Sequence, residues 1–126
     1  MIDWLTLDAV LAIHDEQIAE HGGSDGVRDL GVIQSALARP QNLAANGEPD
    51  LAALAAALAF GIAKNHGFID GNKRTSSVAT ETFLELNGAI LIATDAEVVQ
   101  TWADLGAGTL SEEALADWLR PRLEKL

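Results

Sequence analysis

Apolar residues recur at helical spacing through most of this 126-residue chain. Leu7, Val10, Leu11, His14 and Ile18 follow one another every three or four positions and stop at Gly22-Gly23, which predicts a first helix near residues 6–20. A glycine-rich turn, His21 to Gly26, leads to Leu30, Ile33 and Leu37 on one face of a second helix that ends before Pro40. Residues 40–49, with Pro40, Asn42, Asn46, Gly47 and Pro49, read as an ordered loop or flap. Leu51, Leu54, Leu58 and Ile62 then form a stripe flanked by alanines nearly all round, the pattern of a helix buried on most sides, and that helix delivers His66 at its end. Thr75, Val78, Ala79, Thr82, Phe83 and Leu86 mark the next helix, stopped by Asn87-Gly88. Ala89 to Ala93 is a short strand-like connector. Thr94 and Glu97 make a capping box for a helix through Val98, Val99, Trp102 and Leu105, ended by Gly106 and Gly108. Ser111 caps a last helix, with Glu112 and Glu113 in its first turn and Leu115, Trp118 and Leu119 facing inward. The expected fold is all-α, a compact bundle of about six helices with one polar loop between its two central members.

Length sets one domain, residues 1–126, with a single core. The longest apolar run, Leu51 to Ala63, is shorter than the roughly 20 residues of a membrane-spanning helix, so no membrane partner is expected. Asp3 and the absence of a basic, apolar, small-residue succession argue against a cleaved signal and predict a cytoplasmic chain. No cysteine is present, which excludes disulfides, thiolate catalysis and cysteine zinc sites. A net charge of −11 disfavours a polyanion over a broad surface, so DNA and RNA are not expected partners. Against that background three of the eight basic side chains, Lys64, Lys73 and Arg74, lie close together in the sequence. A local positive site in an acidic chain suits a small phosphorylated ligand, and the acidic remainder suits a basic protein partner. His14, on an apolar stripe, reads as a hydrogen-bonded core histidine.

The polar loop, His66-Gly67-Phe68-Ile69-Asp70-Gly71-Asn72-Lys73-Arg74, holds a base, a hard oxygen ligand, a glycine and two cations. If Asn72 opens the following helix, the N–H groups around Gly71 to Arg74 are unpaired donors at a helix N-terminus, which attracts phosphate. Gly71 lets a phosphate approach the main chain, and Asn72 either caps the helix or orients the loop. Arg74 can hold two oxygens of one phosphate in its planar fork, and Lys73 acts as a point charge, with Lys64 as a further phosphate contact. Asp70 can hold Mg²⁺, which takes one or two protein carboxylates together with phosphates and water; the competing use is an Asp70–Arg74 helix pair. An imidazole in water titrates at about 6.5, so His66 is the natural acceptor for a hydroxyl proton. Phe68, between polar positions, anchors the loop in the core.

These residues resemble the Fic/Doc (Fido) signature H-x-F-x-(D/E)-G-N-(G/K)-R, and Lys73 is the variant of the Doc branch, the death-on-curing toxins. Trp4-Leu5, Ile13-His14, His21-Gly22-Gly23, Gly26-Val27-Arg28-Asp29, Ser35-Ala36-Leu37 and Thr80-Glu81-Thr82-Phe83-Leu84 with Asn87-Gly88 resemble the same proteins, so nearly the whole chain is covered. The resemblance implies His66 as general base and Asp70 as the Mg²⁺ ligand. Fic proteins most often move AMP from ATP onto a hydroxyl. Here Gly67 and Lys73 stand where those members have proline and a second glycine, and Lys73 sets a long cation where they cradle phosphates on open backbone. Doc-type proteins that share the lysine are implied to bind ATP reversed and to phosphorylate a threonine of elongation factor Tu, stalling translation. No (S/T)-x-x-x-E-(G/N) inhibitory segment occurs in this sequence, so a separate antitoxin with a helical tail is the expected partner. Nucleotidyl transfer, and a catalytically idle domain that binds protein or nucleotide, stand as alternatives.

Overall fold

Capping side chains begin five of the six helices. A computed structural model describes all residues, 1–126. Its helices are α1 (Leu7–His21), α2 (Leu30–Ala45), α3 (Leu51–Asn65), α4 (Asn72–Leu86), α5 (Asp95–Ala107) and α6 (Glu112–Leu119). Thr6, Asp29, Asp50, Thr94 and Ser111 each accept an N–H from the first turn of α1, α2, α3, α5 and α6, and the Thr94–Glu97 pair forms the full reciprocal box. A cap of this kind stabilises a helix by about 1 kcal/mol. Only α4 starts without one: Gly71 occupies its cap position and offers no side chain.

The all-α architecture expected from the periodicity is present. Helix α3 is the axis of the bundle, buried from Ala52 through Ala63 except at Ala53 and Phe60, and α2, α4, α5 and α6 pack around it. Leu54, Leu58, Phe68, Phe83, Leu84, Leu105, Leu115 and Leu119 fill the one core, each nearly inaccessible to solvent. Helix α1 closes the bundle against α4. No helix is long and apolar enough to cross a membrane.

Two boundaries differ from the sequence expectation, and the expected strand gains a partner. Helix α2 continues through Pro40 to Ala45, so the expected loop over residues 40–49 shrinks to the segment after Ala45. Ile33, Ala36, Leu37 and Pro40 form one buried stripe, with Ala44 packed beside the core, and this burial outweighs the backbone hydrogen bond that proline forfeits. Gly106 lies inside α5, and Gly108 is the residue that ends it, in a left-handed conformation at φ 84°. The expected strand-like connector is strand β1 (Ala89–Leu91), and its partner is β2 (Leu123–Lys125), which follows a 3-10 turn at Arg120–Arg122. The two pair antiparallel with Ala89 opposite Lys125 and Leu91 opposite Leu123.

Candidate active site

The loop between α3 and α4 takes its shape from buried hydrogen bonds. His66 ends α3 in the left-handed region, φ 52° and ψ 52°, and no other non-glycine residue has positive φ. Its carbonyl accepts from Arg28 Nε at 2.7 Å, and the Asn65 carbonyl accepts from Arg28 Nη2 at 3.2 Å, so one guanidinium closes the C-terminus of α3. The Gly67 carbonyl accepts from the N–H groups of Arg28 and Asp29, and Val27 pairs with Phe68 in an isolated antiparallel bridge. A side chain at Gly67 would drive a Cβ to 2.5 Å from Ile33 Cγ1, which accounts for glycine where related signatures carry proline.

Phe68 is buried, its ring stacked on His14 with centroids 3.8 Å apart and planes 7° apart. Asn72 is buried as well. Its Oδ1 accepts from the Phe68 N–H and its Nδ2 donates to the Phe68 carbonyl, both at 3.0 Å, so the amide locks the loop across one turn instead of capping α4. His14 is 2% exposed and its Nε2 lies 2.8 Å from the Asp70 carbonyl oxygen. A carbonyl only accepts, so Nε2 carries the proton, and His14 serves the loop from below as a core histidine.

With Asn72 occupied and Gly71 at φ 76° serving as the cap residue, the N–H groups of Asn72, Lys73 and Arg74 have no acceptor within the protein. The first turn of α4 therefore aims three donors and the positive end of its dipole outward. An open pocket of about 300 Å³ lies over them, lined by His66, Ile69, Asp70, Gly71, Asn72, Lys73 and Arg74. Asp70 Oδ1 accepts from the Gly71 N–H at 2.8 Å and Oδ2 from the Ser24 N–H at 3.2 Å. These bonds, Ser24 first and then Gly71, with the charges of Arg74 and His14 adding to them, hold the Asp70 carboxyl below its ordinary range. Asp70 is thus an exposed, ionised carboxylate with lone pairs to spare on both oxygens, the donor set Mg²⁺ takes beside phosphate.

The pocket gathers His66, Asp70, Gly71, Asn72, Lys73 and Arg74 but not Lys64. The Lys64 ammonium lies against Gly108 at the end of α5, where an added Cβ would meet Nζ at 2.5 Å. Two residues, roughly half a turn of helix, separate Lys64 from His66 and set the two side chains on different faces, and the C-terminus of α5 gives the ammonium a favourable seat. Asp70 and Arg74 form no ion pair; Arg74 Nη2 donates to the Gly22 carbonyl at 3.3 Å. Ser24 and Arg28 shape the loop from the preceding turn. The glycine-rich composition of residues 21–26 and the family-like His21-Gly22-Gly23 and Gly26-Val27-Arg28-Asp29 segments mark that turn in the sequence, but nothing there shows that its amides reach Asp70.

The chain is similar to proteins of a known family. The family model described as "Fic/DOC family" matches residues 4–84. "Toxin Doc" of Mycolicibacterium smegmatis is 46% identical over 74 residues, a stretch that spans 57% of this chain and 57% of that protein. "Protein kinase doc" of Escherichia phage P1 is 31% identical over 114 residues, 90% of each chain. The matched region carries α1 through α3, the whole polar loop and all but the last two residues of α4, and the chain belongs to the Fic/DOC family.

Proposed function

We propose that this chain is a Doc-type toxin that transfers the γ-phosphate of Mg·ATP to a hydroxyl of a protein substrate, a threonine of elongation factor Tu, and so blocks translation. The observation that carries the reading is the uncapped first turn of α4, which lines one pocket with Asp70 and the left-handed His66. The similarity to proteins named as a Doc toxin and a Doc protein kinase supports the toxin and kinase assignment.

His66 takes the proton of the attacking hydroxyl as its oxygen bonds to the γ-phosphorus. The bond from that phosphorus to the β–γ bridging oxygen breaks, and ADP leaves with the electron pair. The N–H groups of Asn72, Lys73 and Arg74 and the two cationic side chains hold the phosphates in place and meet the charge that develops on their oxygens. Asp70 would hold Mg²⁺, which when bound neutralises phosphate charge. Lys73 favours the terminal phosphate at His66, because the lysine at this place in the signature is the Doc-branch variant. A cognate antitoxin with a helical tail completes the reading, as the partner that keeps such a toxin silent.

The test is product analysis with purified elongation factor Tu. Release of ADP in step with modified factor, lost in His66→Ala and in Asp70→Asn while both variants keep the parent melting curve, is the expected result. Full transfer by His66→Ala would remove the base from the mechanism, and release of pyrophosphate would make the chain a nucleotidyl transferase.

A further inference from the structure

The C-terminus of α3 is closed differently from every other helix end in the chain. In α1, α2, α4, α5 and α6 the N–H of the cap residue donates back to a carbonyl of the last turn. The N–H of His66 makes no such bond, and the carbonyls of Asn65 and His66 are met instead by Nη2 and Nε of Arg28. Helix α5 also ends in the left-handed region, but the residue there is glycine, Gly108. Glycine adopts that conformation freely, whereas in His66 the Cβ crowds a backbone carbonyl oxygen and the conformation is unfavourable.

We propose that Arg28 is a positioning residue for the base of the reaction: its guanidinium stands in for the missing backbone closure of α3 and holds His66 in the left-handed turn that sets the imidazole on the wall of the phosphate pocket. The proposal rests on the reading that His66 takes the hydroxyl proton. A base needs a side chain, so glycine cannot serve at this turn, and a strained residue persists only where its surroundings over-determine it. Arg28 supplies that constraint because its own main chain is held on both sides. Its N–H and that of Asp29 donate to the Gly67 carbonyl at 2.8 and 3.0 Å, Val27 pairs with Phe68, and the Asp29 carboxylate caps α2. From that fixed backbone the planar fork reaches two successive carbonyls, and its charge lies at the negative end of the α3 dipole.

Arg28 has no competing engagement. It takes part in none of the chain's ion pairs, although nineteen acidic residues are present, and it does not line the pocket that gathers His66, Asp70, Lys73 and Arg74. It therefore acts on the reaction through His66 and not through phosphate. The phosphate cradle is held by other contacts, Asn72 on Phe68 and Ser24 on Asp70, in which the guanidinium has no part. Loss of the guanidinium should free the imidazole and leave the nucleotide where it is. A misplacement of about 1 Å at a reacting group costs about a hundredfold in rate.

Two measurements on Arg28→Ala, beside the unsubstituted chain, test the proposal. In steady-state transfer to purified elongation factor Tu, kcat should fall about tenfold to a hundredfold, with the KM for Mg·ATP and its calorimetric affinity unchanged within about twofold. Free guanidinium ion, added well below denaturing concentration, should restore part of kcat in Arg28→Ala and none in His66→Ala. Arg28→Lys, which brings one point charge to two carbonyls, should fall between Arg28→Ala and the parent. By nuclear magnetic resonance, the backbone carbon shifts of His66, which separate left-handed from other conformations, should move in Arg28→Ala while those of residues 72–74 stay. An unchanged kcat, a loss of nucleotide affinity that matches the loss of rate, or His66 shifts that do not move would overturn the proposal. Should Arg28→Ala fail to fold, Arg28→Lys decides by the same two readouts. Absence of transfer by the unsubstituted chain would remove the kinase reading instead, and the His66 shifts would still decide whether Arg28 holds the turn.

Discussion

Removing the amide of Asn72 should unlock the signature loop at a large and measurable loss of stability. Asn72 meets both backbone polar groups of Phe68 at 3.0 Å, and Asn72 and Phe68 are 7% and 1% exposed. In Asn72→Ala the Phe68 N–H and carbonyl lose their partners in a place water does not readily reach. Each orphaned group is worth about 1–3 kcal/mol, so the pair predicts a loss of about 2–6 kcal/mol. That is a large share of the roughly 5–15 kcal/mol that keeps such a domain folded, and it lowers the melting temperature by about 8–24 °C. Urea unfolding followed by circular dichroism measures it as a shifted midpoint with an unchanged slope. Asn72→Asp keeps an acceptor for the Phe68 N–H but sets a second oxygen against the Phe68 carbonyl, so it should recover no more than half of the loss. A loss below about 1 kcal/mol for Asn72→Ala at constant slope would refute the reasoning, because it would mean that Phe68 has no need of the amide.

Gly23, at φ 115°, has Asp70 Oδ2 only 2.7 Å from where a Cβ would stand, so Gly23→Ala should displace the Asp70 carboxylate; Mg²⁺-dependent nucleotide binding should fall at least about tenfold, and unchanged Mg²⁺ dependence would contradict the contact. Lys64→Ala should leave transfer within about twofold of the parent, since the ammonium rests on Gly108 outside the pocket, and a loss beyond tenfold would return Lys64 to the phosphates. Burial, then the like charges of Glu85 and Asp95, raise the Glu81 carboxyl above its ordinary value of 4.5. A raised carboxyl destabilises the fold while it is charged, so Glu81→Gln should stabilise at pH 7 by at least the roughly 0.2–0.5 kcal/mol of the Glu81–Glu85 repulsion; that advantage should vanish as pH falls through the raised value toward 4.5, and an advantage that persisted at pH 4 would point to packing.

What the sequence exposes and what it hides separate along local and long-range lines. The stripe of α3, the capping box at Thr94 and Glu97, and the spacing of His66, Asp70 and Arg74 depend on residues a turn or two apart, and each is readable from one chain. Pro40 misleads because its local preference yields to burial beside Ile33, Ala36 and Leu37. The partner of β1 is hidden because it lies beyond two intervening helices, in a segment with no strand periodicity. In the site, the composition of residues 66–74 points to phosphate, but three features that shape it come from elsewhere: the Ser24 amide on Asp70, the Arg28 fork on the end of α3, and His14 beneath Phe68. Lys64 lies outside the pocket for the converse reason. It is near His66 in sequence, yet helical rotation turns it toward α5.

The central claim is that the terminal phosphate of ATP meets a protein hydroxyl beside His66. Its most direct measurement is incubation of the chain with a bacterial extract and Mg·ATP labelled at either the γ- or the α-phosphate, with His66→Ala in parallel. Label from γ alone, on a band of elongation-factor size and absent with His66→Ala, is the predicted result; label from α, or no label that depends on His66, would contradict it.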